Sequence, residues 1–279
     1  HGRTYVLREP PKEPDPEPAR RPPKRSFIDW RGLRILVTAR EFVDRAMGIA
    51  GELLVTTGVF VLLFLGWHVW FNDIVQGAAQ DRASLALSND WRSNGTRVPE
   101  YDRAVGNSAG VTLDVTPPVA ASPPKGHAFA TIIIPRFGTH YVRTIAQTTD
   151  TTAVLNNEST GIGHYPMTNN LGAIGNFALA GHRTTYGAPF GSIDQLRVGD
   201  RIYIETPLGW YIYRFRNLEY VDPGDVRVLD PVPEATVTAR ERLLTMTSCH
   251  PKLSAAERII AYSVFESFVP RANGAPAEV

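Results

Sequence analysis

The 279-residue sequence predicts a mainly β protein, a closed β-barrel carried behind one membrane-spanning helix. Two observations predict it. Residues 53–71 (LLVTTGVFVLLFLGWHVWF) hold no Asp, Glu, Lys or Arg across 19 positions, and at about 1.5 Å per residue such a helix approaches the roughly 30 Å apolar core of a bilayer. From about His127 onward the pattern changes to short apolar alternations separated by Gly and Pro, the period of half-buried strands rather than of helices.

Taken in order, residues 1–47 read as a Pro/Arg-rich tail. Residues 9–25 place seven prolines among charges, a composition that cannot bury a core and stays extended. Residues 48–74 form the anchor. Arg34, Arg40 and Arg45 precede the apolar run, and Trp67, Trp70 and Phe71 sit at its C-terminal end where aromatic rings favour the interface, so the N-terminus is expected inside and the remainder outside. A cleaved signal peptide, with Gly77-Ala78-Ala79 as its small-residue site, is the competing reading, but the run is longer than the ~7–15 residues of such a segment. A buried core helix would show a polar stripe that is missing here.

Residues 75–126 are polar, with Asn-Gly and Pro-Pro punctuation, and read as an extracellular stalk with a short helix near residues 78–87. Residues 127–270 form the barrel and 271–279 a C-terminal tail. Strands are expected at 131–134, 176–180, 242–247 and 258–265. Ile202 and Ile204 alternate with polar neighbours, Pro207-Leu208-Gly209 turns, and residues 210–215 alternate again, the signature of a β-hairpin.

Charge excludes little but excludes it clearly. Residues 1–45 carry eleven Lys/Arg against seven Asp/Glu, whereas 127–279 carry thirteen against fourteen, so the folded part has no basic footprint for nucleic acid. One cysteine rules out an internal disulfide framework. No CxxC, HxxxH or HExxH spacing suggests a metal, and no loop-spaced acidic cluster suggests calcium, so no metal and no cofactor are expected.

That single cysteine ends the apolar, β-prone run Thr245-Met246-Thr247-Ser248-Cys249-His250-Pro251, with Arg258 downstream and Gly181-His182-Arg183-Thr184-Thr185-Tyr186-Gly187 upstream. A lone cysteine is commonly an inert small core residue. A thiol of ordinary pKa is mostly protonated at neutral pH, however, and a histidine and an arginine are the groups that would activate it and neutralise developing charge. His164 and His250 rival His182, but in an extended strand His250 points away from the face of Cys249.

These segments, together with Ile133-Ile134-Pro135-Arg136-Phe137-Gly138, Gly161-Ile162-Gly163-His164-Tyr165-Pro166 and Asp200-Arg201-Ile202-Tyr203-Ile204, resemble the sortases, most of all class E sortases of actinobacteria. The resemblance covers roughly residues 127–268. Where the family usually reads TLxTC, this chain has Met246 for Leu and Ser248 for Thr.

The resemblance implies an eight-stranded barrel with short helices, two of them placed at residues 151–155 and 189–196. It implies Cys249 as nucleophile, His182 as proton carrier and Arg258 as stabiliser of the oxyanion or of substrate, acting as a cysteine transpeptidase. Tyr186, Tyr141, His164, Thr247 and Ser248 are candidate substrate-groove residues. Implied partners are secreted proteins bearing an LAxTG- or LPxTG-like sorting signal, cell-wall precursor amines, and the lipid bilayer through residues 53–71. A pilin-polymerising sortase, whose acceptor is a protein lysine, and a catalytically silent peptide-binding barrel are the alternatives.

Overall fold

The computed structural model describes residues 30–67, 72–93 and 116–279. The proline-rich part of the tail, the interfacial Trp70 and Phe71, and the stretch 94–115 of the expected stalk lie outside the described residues.

The first helix, α1 (Trp30–Gly66), is longer than the apolar run alone. Its segment Arg40–Gly66 has mean hydropathy 2.1, is long and apolar enough to cross a bilayer, and has none of its most apolar window buried. The described apolar side chains of Arg40–Leu65, such as Leu54 and Leu62, all lie open, unlike those of the core helix of a soluble domain.

Eight strands follow in the second unit. They are β1 (Ala128–Ile133), β2 (Val142–Gln147), β3 (Gly161–His164), β4 (Gly175–Gly181), β5 (Arg201–Thr206), β6 (Gly209–Val221), β7 (Arg242–His250) and β8 (Glu257–Pro270). They close into one barrel, as the sequence leads one to expect, in the order β1-β2-β3-β4-β7-β8-β6-β5 found in the structure. Closure leaves no exposed sheet edge. The pairings β2–β3 and β4–β7 are parallel and the rest antiparallel. β5 and β6 form the expected hairpin, with Thr206 paired to Gly209 across the two-residue turn Pro207-Leu208.

The alternation of each strand sends one set of side chains into the barrel. Ile132, Ile145, Phe177, Leu179, Met246 and Ile259 belong to that core. The opposite set faces outward, where loops and a second helix cover much of it.

Two strands escaped the sequence reading. β2 is buried at every position because its outer face is covered too, which erases the apolar/polar alternation. β3 reads Gly-Ile-Gly-His, and glycine signals turns more than strands. The short helical turn at Thr151–Leu155 is present, held by Asp150 accepting from the backbone N–H groups of Thr152 and Ala153. In the segment 189–196 only Ile193–Gln195 makes a helical turn, and the rest is a chain of tight turns.

The main departure is in the stalk. Helix α2 (Asn72–Ser93) is longer than the helix expected near residues 78–87, and it lies against the outside of β2 and β5. Its apolar residues show almost no stripe. The contacts that hold it are polar: Ser84 with Thr144, Asp81 with Arg143, and Ser88 with the buried carboxylate of Glu205. That is why amphipathic periodicity did not mark it. Residues 117–120 also run over the barrel, with the Pro118 carbonyl accepting from the Tyr211 hydroxyl and the Ala120 N–H donating to Leu171.

Candidate active site

Strand register brings the candidate residues onto one surface. In β7, Leu244 and Met246 point into the core, so Thr245, Thr247 and Cys249 point outward. Cys249 pairs directly with Arg258 across β7–β8, and paired residues share a face. In β4, Phe177 and Leu179 point inward, which sends Ala178, Ala180 and then His182 outward. The parallel β4–β7 register runs from Gly175 opposite Arg242 to Ala180 opposite Thr247; two residues further it brings His182 level with Cys249. The residue just past the end of β4 and two neighbouring strands thus present histidine, cysteine and arginine toward the same outer face of the barrel. The Cys249 thiol is free and half-buried.

His182 is held by two loops. Its Nε2–H donates to Asn156 Oδ1 at 2.8 Å, and the Tyr186 ring lies over it with centroids 5.0 Å apart. With Nε2 carrying the proton, Nδ1 keeps the open lone pair. Burial lowers the His182 pKa below the ordinary 6.5, opposed by the Asp73 carboxylate. The neutral imidazole therefore dominates near pH 7. Gly181, just before it, admits the Phe190 ring: an added Cβ would sit 2.8 Å from that ring.

On the inner side of the same corner, the residues following the two candidates are joined. Arg183 is buried, pairs with Asp194 at 3.0 Å and donates to Gly191 O. It also reaches His250 Nδ1 at 3.4 Å. His250 packs edge-on against Tyr220, so it turns away from Cys249 as strand alternation requires. Arg258 is only partly buried, and its NH1 donates to the carbonyls of Ala255 and Glu257, its own loop.

The other candidates divide. Thr247 faces outward, bonded to the Tyr165 hydroxyl at 3.0 Å and to Leu179 O, which adds Tyr165 to the same surface. Tyr186 touches His182 itself. Ser248 points inward and donates to Gly181 O at 2.8 Å, so it ties β7 to β4.

Tyr141 and His164 are likewise packing residues. The Tyr141 hydroxyl donates to Pro189 O and its ring takes the Arg143 guanidinium at 4.8 Å. His164 is 1% exposed, stacked on Phe177 at 4.7 Å, with Nδ1 on Gln147 and Nε2 on Asn169 O and Thr168. Burial lowers its pKa to about 4, so it is a neutral core residue. Asn156, Tyr165 and Asp73 were missed by sequence reasoning, since each acts through a contact that no local pattern encodes.

An open cavity of about 660 Å³ lies on the same side of the barrel, lined by Leu218, Glu219, Pro233, Glu234, Leu243 and Tyr262 among others, toward the start of β7 and away from Cys249. Among the described residues no three His, Cys, Asp or Glu side chains converge to hold a metal.

Comparison with known proteins bears on the family and the fold. Residues 132–266 match the sortase domain family model. The chain is 32% identical to sortase SrtE1 of Streptomyces coelicolor over 233 residues, 81% of this chain and 59% of that protein. The barrel superimposes on the SrtA sortase from Actinomyces oris with TM-score 0.55 and 32% identity, covering 59% of this chain and 93% of that one. The chain belongs to the sortase family. It also superimposes on sortase E1 from Streptomyces coelicolor, solved with a tripeptide in the active site, with TM-score 0.51 and 34% identity over 57% of this chain and 99% of that one. The chain thus spans about three fifths of the length of curated SrtE1, and nearly the whole of these two solved sortase chains.

Proposed function

We propose that this sortase is a membrane-anchored cysteine transpeptidase that cleaves an LAxTG- or LPxTG-like sorting signal between Thr and Gly. The observation that carries the reading is the shared outward face of Cys249 and Arg258 on paired strands and of His182 at the end of the adjacent strand β4. Cys249 Sγ, as thiolate, attacks the threonine carbonyl carbon, and the carbonyl oxygen takes the negative charge beside the Arg258 guanidinium. Collapse breaks the Thr–Gly bond while the His182 imidazolium gives its proton to the departing glycine amine, leaving a thioester on Cys249.

An incoming amine then attacks the thioester, neutral His182 accepts its proton, and Cys249 is released as a new amide forms. The lowered His182 pKa makes the thiolate–imidazolium pair a minor form near neutrality but favours the neutral base needed in the second half. A cell-wall precursor amine is the acceptor in this reading, with secreted, signal-bearing proteins as donors. The arginines before the apolar run support this reading, with the N-terminus in the cytoplasm and the barrel outside the cell membrane.

The test is mass spectrometry of the full chain in detergent micelles with an LAxTG peptide, an LPxTG peptide, and either a glycine oligomer or a lysine peptide as acceptor, Cys249→Ala being the control. A Cys249-linked acyl-enzyme that resolves onto the glycine amine is the expected result, and preferential transfer to lysine would indicate pilin-type chemistry instead. Peptide binding with no thioester from either signal would leave a silent binder and end the catalytic reading.

A further inference from the structure

Two loops hold His182, and α2 reaches both. One loop ends in Asn156 and Asn157; the other runs from His182 through Tyr186 to Gly187. In the first turn of α2 the Asp73 carboxylate accepts the N–H of Thr185 at 3.0 Å and of Gly187 at 3.3 Å. Thr185, Tyr186 and Gly187 have φ of 66°, 51° and 78°. Left-handed backbone at Thr and Tyr is unfavourable and persists only where the surroundings hold it. Asp73 is one of the groups that do so.

Two turns along the helix, Gln80 is wholly buried. Its Nε2 donates to the carbonyl of Tyr186 at 3.0 Å and, at 3.5 Å, to that of Asn157. Glycines make the hole it fills: an added Cβ at Gly161 would lie 2.5 Å from Gln80 Nε2, and one at Gly187 would lie 2.9 Å from Gln80 Oε1. One side chain therefore joins the neighbour of Asn156, which accepts the His182 proton donor, to Tyr186, whose ring covers His182. The remainder of α2 is held far from these loops, through Ser84 on Thr144 and Ser88 on Glu205.

We propose that α2 is a working part of the catalytic apparatus, with Asp73 and Gln80 as positioning residues that fix both loops against His182. The inference rests on the reading of His182 as proton carrier. It means that the helix directly following the membrane anchor, rather than the barrel alone, sets the geometry of the proton transfer.

The test compares Asp73→Asn and Gln80→Met, both nearly isosteric, in the full chain in detergent micelles. Ser88→Ala, on the same helix but away from the loops, is the control for docking, and His182→Ala tests the underlying reading. With the LAxTG or LPxTG peptide and an amine acceptor, each positioning variant is expected to lose roughly tenfold in kcat with KM within about twofold, because misalignment costs the transition state more than binding. Ser88→Ala is expected to keep the wild-type kcat.

A second readout separates positioning from general loosening. The titratable groups that act on His182 are Tyr186 on its own loop and Asp73 on α2, with Cys249 on β7 and Arg258 on β8 sharing its outward face, and Asp73 is the one whose charge raises the His182 pKa. Asp73→Asn should therefore move the acid limb of kcat to lower pH, and Gln80→Met should not. If Asp73→Asn does not fold, Gln80→Met alone decides. Wild-type kcat in the positioning variants alongside a dead His182→Ala would overturn the proposal while sparing the reading of His182. An equal loss in Ser88→Ala would also overturn it, and an active His182→Ala would end both.

Discussion

Removing the Asn156 amide tests how much of the chemistry depends on the orientation of His182. In the structure the imidazole has one polar anchor, Nε2–H to Asn156 Oδ1 at 2.8 Å, and one apolar face, the Tyr186 ring. Asn156→Ala leaves the ring free to rotate about its side-chain bonds and loses a half-buried hydrogen bond worth about 0.5–1.5 kcal/mol. Spent on the transition state, that is a fall of roughly 2- to 13-fold in the acylation rate. Asn156→Asp keeps the acceptor and adds a charge. An opposite charge at hydrogen-bond distance favours the imidazolium, so the His182 pKa rises and the acid limb of activity moves to higher pH. In the wild type, where burial lowers that pKa, activity should persist below pH 6.5. The assay is single-turnover thioester formation on Cys249, followed by mass spectrometry across about pH 5–8. Unchanged rates in Asn156→Ala together with an unmoved limb in Asn156→Asp would refute the view that this amide fixes the tautomer and aim of His182.

Other outcomes follow from the packing. His164 is buried and neutral with its pKa lowered to about 4. The unfolded chain binds a proton there that the folded chain refuses, so stability is lost as pH falls from 6.5 toward 4, by about 3 kcal/mol at roughly 1.4 kcal/mol per pH unit. Denaturant melts at several pH values should show the loss, and His164→Gln should flatten it. Arg271 donates at 2.8 Å to Glu205, which is 1% exposed and also bonds Ser88 of α2; Arg271→Ala should cost about 3–5 kcal/mol in chemical denaturation, because it leaves a buried carboxylate uncompensated. Gly161→Ala places a Cβ 2.5 Å from Gln80 at φ +83°. It should lower the melting temperature and reduce kcat in the same direction as Gln80→Met, whereas Gly199→Ala, also at positive φ but with open space around its Cβ position, should change the melting temperature without touching kcat.

The sequence by itself determined what is local. A charge-free apolar run fixes a helix able to cross a bilayer, and alternation fixes the β5–β6 hairpin and strands β1, β4, β7 and β8, because period-two side chains read directly as a half-buried face. The Cys249, His182 and Arg258 segments announced themselves through residue type and neighbouring motif. Only the tertiary structure decided what depends on pairing between distant residues. β2 and β3 hide because α2 or close backbone covers their outer faces, which removes polar alternation and installs glycine. Ser248 and His164 point inward by strand parity and burial, and Tyr141 is tied to the Pro189 carbonyl, so contacts across the fold, not sequence proximity to the motifs, decide which way each side chain points. Asp73, Gln80 and Asn156 join the site through hydrogen bonds that span up to 114 positions. No window of sequence contains both partners of such a bond, so the chain carries the chemistry in its motifs and leaves its alignment to the fold.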